Sequence, residues 1–279
     1  MRPESADGVT TVIRLGTQGW NYPAWVGPFY PPGTRPSDML ALYTRAFPTV
    51  EIDATFYASP AEPVVRAWRA RVAPEFVFSL KVPQEITHER RFVDAGDALD
   101  RFVGRARLLE GTLGPLLLQT PADWSPTADA RAALAEFLPL LPVDLRWAIE
   151  FRDPRWLTGA TLDLLRAHRV ALALVEGRWV RRERVLALAA EPTADFAYIR
   201  WMGPDRLLTD YSRVQVARDR EIGLWGDALA ALRSRVREVF GYVNNHFEGH
   251  SPASVRTLQS RLGLPVVDPT LLRQQGELF

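Results

Sequence analysis

The chain has 279 residues, a formal net charge of +1 at pH 7 and a hydrophobic fraction of 47%. This charge balance gives no general attraction to nucleic acids or membrane surfaces, and the absence of cysteine excludes disulfides, thiolate metal sites and a cysteine nucleophile. The start of the chain is polar and no apolar run reaches the roughly 18 residues of a membrane span, so we expect a cytoplasmic protein without a membrane segment.

Short apolar runs alternate with amphipathic stretches along the chain. Each run has the length of a buried strand, and several are almost continuously hydrophobic, as in parallel sheets that are covered on both faces. In chain order the runs are Ile13–Trp20, Val50–Tyr57, Phe76–Val82, Pro115–Thr120, Arg146–Arg152, Val170–Glu176, Phe196–Met202 and Val239–Asn245.

The stretches between the runs carry the apolar spacing and the start signals of helices. Ser37 is predicted to cap the first helix, Ser125 with Pro126 to begin the fourth, and Ser251–Pro252 to begin the last. Strands and helices that alternate eight times predict a single-domain α/β fold, the TIM-type (β/α)8 barrel. An open doubly wound sheet is the alternative.

The predicted domain organisation has three parts. We expect the barrel domain over residues 12–264, a flexible N-terminal segment over residues 1–11, and a C-terminal tail over residues 265–279 that packs on the barrel. A chain of this length is ordinary for one barrel, which typically needs about 250 residues.

Polar residues collect at the ends of the predicted strands, where barrel enzymes carry their catalytic groups. Glu51, Asp53 and Thr55 alternate along the second run and are predicted to share one strand face. Any one such residue can be explained as solvated or as part of a structural ion pair. The other strand ends contribute Lys81, Gln119, Glu150, Arg152, Glu176, Arg200, Asn244 and Asn245.

Lys81 is the single lysine among 34 basic residues. In a composition that favours arginine, a lysine at a strand end suggests a need for an amine, which has a tunable pKa and a compact charge. A structural ion pair is the alternative. His88 follows the same strand and is the best candidate for proton transfer, unless it only orders its loop through a hydrogen bond.

Aromatic residues also gather at the strand ends, among them Trp20, Tyr57 and Trp156. They either pack the barrel mouth or form a stacking surface for a sugar ring or a base. The sequence has no glycine-rich phosphate loop, no HExxH and no GxSxG. We therefore expect no cofactor and no metal, although the acidic residues and histidines of the mouth offer ligands that a divalent cation accepts.

The motifs resemble those of the YecE-like family, domain of unknown function 72. The resemblance runs from about Ile13 to about Leu262 and implies a TIM-type barrel, but it implies nothing about the substrate. The motifs are GTQGWNYPAWVGPFYP from Gly16, VEIDATFY from Val50, FVFSLKVPQEITH from Phe76, GPLLLQTP from Gly114, IEFRDPRW from Ile149, YIRWMG from Tyr198 and YVNNHFEGHSP from Tyr242.

Our first hypothesis is an enzyme with acid/base chemistry on a small anionic substrate, such as a phosphorylated sugar or a nucleotide. Glu51 or Glu150 would act as the base and His88 as the acid, while Lys81 and two arginines hold the anion. The residues predicted to bind the substrate are Trp20, Tyr57, Arg152, Trp156, Arg200, Asn244 and Asn245.

Other functions remain open at this point. Lys81 could instead form a Schiff base with a carbonyl substrate, so hydrolase, isomerase and Schiff-base lyase are all possible reaction classes. A metal-dependent nuclease-like or nucleic-acid-binding barrel is an alternative, and so is a non-catalytic barrel that binds a small molecule.

Overall fold

A computed structural model describes residues 11–205 and 207–274. The strands are β1 (Val12–Gln18), β2 (Thr49–Ile52), β3 (Val77–Lys81), β4 (Leu113–Gln119), β5 (Trp147–Glu150), β6 (Val170–Gly177), β7 (Phe196–Gly203) and β8 (Glu238–Val243). The helices are α1 (Pro36–Ala46), α2 (Glu62–Ala70), α3 (Gly96–Ala106), α4 (Ala128–Phe137), α5 (Gly159–Ala167), α6 (Arg182–Leu188), α7 (Asp219–Leu232), α8 (Ser251–Arg261) and α9 (Pro269–Gln274).

The strands form a closed barrel in chain order. All neighbouring pairs are parallel, including β8 with β1, which are paired from Val12 opposite Glu238 to Thr17 opposite Val243. This closure confirms the predicted TIM-type (β/α)8 barrel and is inconsistent with an open doubly wound sheet. Because all strands run the same way, their carboxyl ends meet at one rim.

Two apolar layers hold the barrel together. The larger layer lies between the strands and the surrounding helices, and it includes Leu40, Leu134 and Trp225. The smaller layer fills the lower part of the barrel interior, where Phe196 and Phe240 pack against small alanines of β5 and β6. The helices therefore bury their apolar stripes against the outside of the strands, and the inner faces of the strands are left to build the site.

Of the three predicted helix starts, two differ from the structure. The side chain of Thr127, rather than Ser125, caps α4 by accepting a hydrogen bond from the backbone N–H of Ala130. Ser37 lies inside the first turn of α1, which Arg35 precedes without a side-chain cap. The predicted start of the last barrel helix is confirmed, since α8 begins at Ser251.

The second strand is shorter than predicted. β2 ends at Ile52, and Asp53–Phe56 form a turn of 3-10 helix. The prediction that Glu51, Asp53 and Thr55 share one strand face is therefore wrong. The hydroxyl of Thr55 donates to the carbonyl oxygens of Ile52 and Lys81, at 2.9 and 2.6 Å, and so fastens the turn to the end of β3.

After α8, the chain packs on the outer surface of the barrel. α9 lies against α1, and Leu272 is buried within the outer apolar layer. The N-terminal segment over residues 1–11 lies outside the described residues apart from Thr11, as do residues 275–279 of the tail. Over the ranges 11–205 and 207–274, none of the helices has the length and apolar character needed to cross a membrane.

Candidate active site

The inner face of the barrel becomes polar towards the carboxyl ends of the strands. Side chains two residues apart on a strand point the same way, so β7 carries Phe196, Tyr198 and Arg200 one above another inside the barrel. The same spacing on the other strands builds a polar layer at the top, which we call the rim layer. It consists of Gln18, Glu51, Lys81, Gln119, Glu150, Arg200 and Asn244.

Arg200 lies at the centre of the rim layer and is almost completely buried, with 1% of its surface exposed. Its Nη2 donates to Glu51 Oε1 at 2.7 Å and to Asp53 Oδ1 at 3.1 Å. Its Nη1 donates to Glu150 Oε2 at 2.6 Å and to Gln119 Oε1 at 3.4 Å. The guanidinium therefore joins side chains from β4, β5 and the end of β2 to its own strand, β7.

The carboxylates explain how a charged guanidinium is tolerated inside the barrel. Burial alone lowers the pKa of Arg200, but the negative charges of Glu51, Glu150 and Asp53 outweigh it and hold the pKa well above its ordinary value. A buried charge is tolerated when it is paired and hydrogen-bonded. We therefore assign Arg200 an internal role, because its donors are used by the protein and none is directed to an incoming anion.

Glu51 and Glu150 both bind Arg200, yet their pKa values move in opposite directions. Burial raises the pKa of Glu51 to about 7; Arg200 counteracts this shift and the nearby charge of Asp53 adds to it. Burial also raises the pKa of Glu150, but the charges of Arg200 and Arg152 outweigh burial and bring it below the ordinary value. The second arginine makes the difference, since Arg152 Nε donates to Glu150 Oε1 at 3.2 Å.

Glu51 is enclosed inside the barrel and does not reach the surface of the rim layer. It is 0% exposed. Its Oε1 accepts from Arg200, and its Oε2 accepts from the hydroxyl of Tyr198 at 2.5 Å. Tyr198 was not among the predicted site residues, although its position two residues before Arg200 on the same strand is the signal that could have found it. Both carboxylate oxygens of Glu51 are therefore used, one by Arg200 within the rim layer and one by Tyr198 below it.

Lys81 ends β3 and is 8% exposed. Its Nζ lies 3.7 Å from the centre of the Phe56 ring, and among residues 11–205 and 207–274 no carboxylate forms an ion pair with it. Burial lowers the pKa of Lys81 to about 8; Arg200 and Arg152 also lower it, while Asp53 and Glu150 act in the opposite direction. Lys81 can therefore exchange a proton near neutral pH.

His88 lies beside Lys81 in a turn of π-helix over Glu85–Glu89. Its ring contacts the same Phe56 ring, with centroids 4.8 Å apart, and its Nδ1 forms a 2.8 Å hydrogen bond with the hydroxyl of Thr87. Burial and the positive charge of Lys81 lower the pKa of His88 to about 4. The imidazole is therefore neutral at pH 7, which does not favour its predicted role as a general acid.

A cavity of about 210 Å³ opens from the rim layer between the ends of β5 and β8. Glu150 and Arg152 form one side, and Arg178, Trp179 and His246 form others. The guanidinium of Arg178 lies 4.2 Å from the centre of the Trp179 ring. We call this space the mouth cavity. The sequence interpretation missed Trp179, because this residue lies beyond the end of β6 and the candidates were chosen at strand ends.

A second, more open cavity of about 430 Å³ lies on the other side of Asp53. Trp20, Tyr22 and Trp68 line it, and the rings of Trp20 and Trp68 meet edge to face at 5.8 Å. The predicted substrate residue Trp20 is thus accessible next to the rim layer. Tyr57 is 74% exposed and packs its ring against Phe56.

Asn244 belongs to the rim layer, where its amide hydrogen-bonds to that of Gln18 at 2.7 Å. Asn245 points outward instead. Its Oδ1 accepts from Trp25 Nε1 at 3.2 Å and from the backbone N–H of Ser251 at 3.1 Å. The structure therefore does not bring Asn245 into the rim layer. Asn245 instead orders the start of α8.

Trp156 is likewise part of the packing. It is 1% exposed, its ring stacks on those of Trp124 and Phe151, and its Nε1 donates to the carbonyl oxygen of Trp124 at 2.7 Å. Glu176 also faces outward, where it accepts hydrogen bonds from Arg182 and from Trp225 Nε1. These contacts of Trp156 and Glu176 are made outside the rim layer.

The acidic residues of the rim layer are committed to Arg200 and Arg152, so they are not arranged as a metal centre. Within the part of the chain that the structure describes, no group of three or more His, Asp or Glu side chains is placed to hold a metal ion. The guanidinium of Arg200 occupies the position between Glu51, Asp53 and Glu150 in which a cation would balance their charge.

The motifs of the rim layer belong to one family. The family model described as "Protein of unknown function DUF72" matches residues 14–276. The chain belongs to the DUF72 family. This confirms the resemblance seen in the sequence, and the match includes all strand ends that build the site.

Two curated relatives of this DUF72 chain come from Escherichia coli and Bacillus subtilis. YecE of Escherichia coli K12 is 31% identical over 145 residues, which are 52% of this chain and 50% of YecE, so the chain spans about half the length of that relative. YunF of Bacillus subtilis 168 is 24% identical over 264 residues, covering 85% of this chain and 90% of YunF.

Solved structures share the fold. A DUF72 family protein from Thermotoga maritima MSB8 superposes with a TM-score of 0.77 at 22% identity, covering 90% of this chain and 99% of that one. One from Enterococcus faecalis V583 gives 0.71 at 21% identity, with 91% and 99% covered. A D-psicose 3-epimerase from Clostridium cellulolyticum H10 gives 0.53 at 11% identity, with 94% and 95% covered. At these identities the likeness concerns the fold alone.

Proposed function

We propose that the rim layer and the mouth cavity form the active site of an enzyme that performs acid/base chemistry on a small anionic substrate. The observation that carries this proposal is Lys81, a nearly buried cation at a strand end with a pKa of about 8. A general acid or base works best when its pKa lies near the working pH, and perturbed pKa values concentrate at functional sites.

The proton-transfer role goes to Lys81 rather than to the residues first considered. Glu51 is fully enclosed and both its oxygens are hydrogen-bonded, so it has no direct access to a substrate. His88 is neutral at pH 7 because its pKa lies at about 4. Glu150 borders the mouth cavity as an ionised carboxylate, where it can orient a hydroxyl group of the substrate.

The cationic groups of the mouth cavity support an anionic substrate. Arg152 lines the cavity while it bonds Glu150 and Gln119, and Arg178 lies over the Trp179 ring. Guanidinium groups bind phosphate and carboxylate through pairs of parallel hydrogen bonds. The cavity volume of about 210 Å³ is below the roughly 300–1,000 Å³ of sites for drug-sized ligands, which suits a metabolite better than a nucleic acid.

The proposal can be tested without knowing the product. Phosphorylated sugars and hydroxy or keto acids would first be screened for binding by thermal shift. Each binder would then be incubated in deuterium oxide and examined by NMR for exchange of carbon-bound hydrogen. We expect exchange with the wild type and a loss of about 10²-fold or more with Lys81→Arg, which keeps the charge and removes the tunable amine.

The control for this experiment is binding itself. Lys81→Arg should retain a thermal shift with the same compound, whereas Arg152→Ala should weaken it. Undiminished exchange by Lys81→Arg would contradict the assignment of Lys81. Binding without any chemical change, by wild type and variants alike, would instead indicate the non-catalytic small-molecule-binding barrel.

A further inference from the structure

We propose that Lys81 reacts covalently, as the amine that forms a Schiff base with a ketone or aldehyde group of a small anionic substrate. This inference rests on the proposed function and gives it a substrate class. It assigns Lys81 as a nucleophile, whereas proton transfer alone would leave the lysine unmodified.

The first support is the way in which Lys81 is held. Its carbonyl oxygen accepts from the Thr55 hydroxyl at 2.6 Å, which fixes the end of β3. Its Nζ lies over the Phe56 ring, so one side of the amine faces an apolar surface. In the described ranges no ion pair occupies this ammonium group, although arginine side chains form 21 ion pairs there.

The second support is the balance of charges around the amine. Asp53 and Glu150 favour the ammonium form, whereas burial, Arg200 and Arg152 favour the neutral amine, and the net pKa is about 8. His88, which contacts the same Phe56 ring, is itself neutral at pH 7. Only a neutral amine attacks a carbonyl carbon, and desolvation beside other cations is how lysine nucleophiles are activated.

The third support is the composition. Lys81 is the single lysine among 34 basic residues, and arginine provides charge but no nucleophilic amine at ordinary pH. A role that required only positive charge at this position could be filled by arginine. The amine is therefore the property that distinguishes Lys81 from every other basic side chain of the chain.

The reaction is balanced without an oxidant or a reductant. The ammonium group of Lys81 first releases a proton to solvent. Its nitrogen then forms a bond to the carbonyl carbon, the carbon–oxygen double bond becomes a single bond, and a proton passes from the nitrogen to this oxygen to give a neutral carbinolamine. The hydroxyl group of the carbinolamine takes up a proton from solvent and leaves as water, while the nitrogen lone pair forms the carbon–nitrogen double bond of the protonated Schiff base. The anionic group of the substrate would be held by Arg152 at the mouth cavity.

The test is reductive trapping with the full-length protein. Pyruvate, glyoxylate and dihydroxyacetone phosphate would each be added with sodium cyanoborohydride, followed by intact-mass measurement and peptide mapping. We expect one adduct, on the peptide that contains Lys81, with the mass of the carbonyl compound less one oxygen atom. The chain has a single ε-amine, so only the α-amino group competes, and it lies on a different peptide.

An internal reference makes the rates interpretable. Arg35 is exposed, with 78% of its side chain accessible, so Arg35→Lys adds a second, ordinary amine to the same molecule. Formaldehyde reacts with an amine without needing a binding site. The rate at which it methylates Lys81 should be half-maximal at about pH 8, which is a lower pH than the introduced amine requires. Lys81→Arg should show no adduct outside the α-amino group while its circular dichroism remains that of the wild type.

Two outcomes would overturn the Schiff base: no adduct on Lys81 with any of the three carbonyl compounds, whether or not the α-amino group reacts, or methylation of Lys81 at no lower pH than that of the introduced amine. The first of these, if hydrogen exchange is nevertheless lost in Lys81→Arg, would leave the acid/base proposal standing. An adduct on Lys81 together with undiminished exchange in Lys81→Arg would instead contradict the assignment of proton transfer to Lys81 and keep the nucleophile.

Discussion

Arg200 and Glu51 form an ion pair that is closed off from solvent, with Nη2 and Oε1 2.7 Å apart and exposures of 1% and 0%. They lie on β7 and β2, which are not neighbours in the barrel. The pair therefore crosses the interior, and Tyr198 supports it from below through the second oxygen of Glu51. Removal of either partner would leave an uncompensated charge inside the barrel.

The first prediction concerns the removal of Arg200. Arg200→Met keeps much of the side-chain volume but leaves Glu51 and Glu150 without their shared cation. We expect the free energy of unfolding to fall by about 3–5 kcal/mol, the typical loss when one partner of a buried ion pair is removed. Urea denaturation at neutral pH would measure it.

The matched control is an arginine pair at the surface. Arg35 and Asp38 are 2.8 Å apart but well exposed, so Arg35→Met should unfold at the same urea concentration as the wild type. If both substitutions have the same small effect, the rim layer is hydrated and Arg200 is not a buried charge.

The second prediction distinguishes two carboxylates that look alike. Glu51 has a pKa raised to about 7 by burial, whereas the arginines bring that of Glu150 below its ordinary value despite burial. Infrared difference spectra should therefore contain the carbonyl band of a protonated carboxylic acid below neutral pH, and this band should disappear as the pH rises through about 7. Glu51→Gln should abolish this band.

Glu150→Gln is the control for the infrared experiment, because it removes an equally buried carboxyl group from the same guanidinium. The band should persist in that variant and titrate in the same range. Loss of the band in Glu150→Gln but not in Glu51→Gln would mean that Arg152 does not decide which carboxylate carries the proton.

The fold was predictable because its signals are local. Each of the strand runs overlaps an observed strand, and period-two alternation explains why Glu51, Lys81, Glu150, Arg200 and Asn244 meet. The closed ring then brings residues that are far apart in the sequence to one rim. This step needed only the rule that parallel barrel strands end on the same side.

The errors at the site also have a physical cause. An apolar run does not show at which of its residues the strand ends. The pattern therefore places Asp53 in β2, although Asp53 begins a 3-10 turn. Asn245 and Trp156 were included by position, but Asn245 follows Asn244 on the opposite face and Trp156 fills an aromatic stack. Side-chain direction beyond a strand end depends on tertiary packing, which the sequence pattern does not contain.

The third prediction is that Lys81 reduces stability at neutral pH. Its pKa falls from 10.5 to about 8 on folding, so between these values the unfolded chain holds a proton that the folded chain lacks. The free energy of unfolding should therefore rise with pH above about 8, by up to ~1.4 kcal/mol per pH unit. Lys81→Met has no such proton, and we expect it to be more stable than the wild type at neutral pH.

Urea denaturation of both proteins from neutral to alkaline pH would test this. The advantage of Lys81→Met should be largest below pH 8 and should shrink above it, while tyrosines and other groups that both proteins share cancel in the comparison. A difference that does not change with pH would mean that the amine has an ordinary pKa, and the assignment of Lys81 as a proton donor and nucleophile would lose its basis.

The fourth prediction concerns Asn244 and Asn245, the two asparagines that follow β8, and assigns them different roles. Asn245→Ala leaves Trp25 Nε1 and the backbone N–H of Ser251 without their acceptor, and an unsatisfied buried donor typically lowers stability by about 1–3 kcal/mol. Asn244 is only half-buried and hydrogen-bonds to Gln18 in the rim layer, so Asn244→Ala should be less destabilising and should weaken binding of the compounds found by thermal shift. The two variants should therefore differ in opposite senses, with stability lost in one and affinity in the other. Equal losses of affinity would show that Asn245 also contacts the ligand, and the start of α8 would then be part of the binding site.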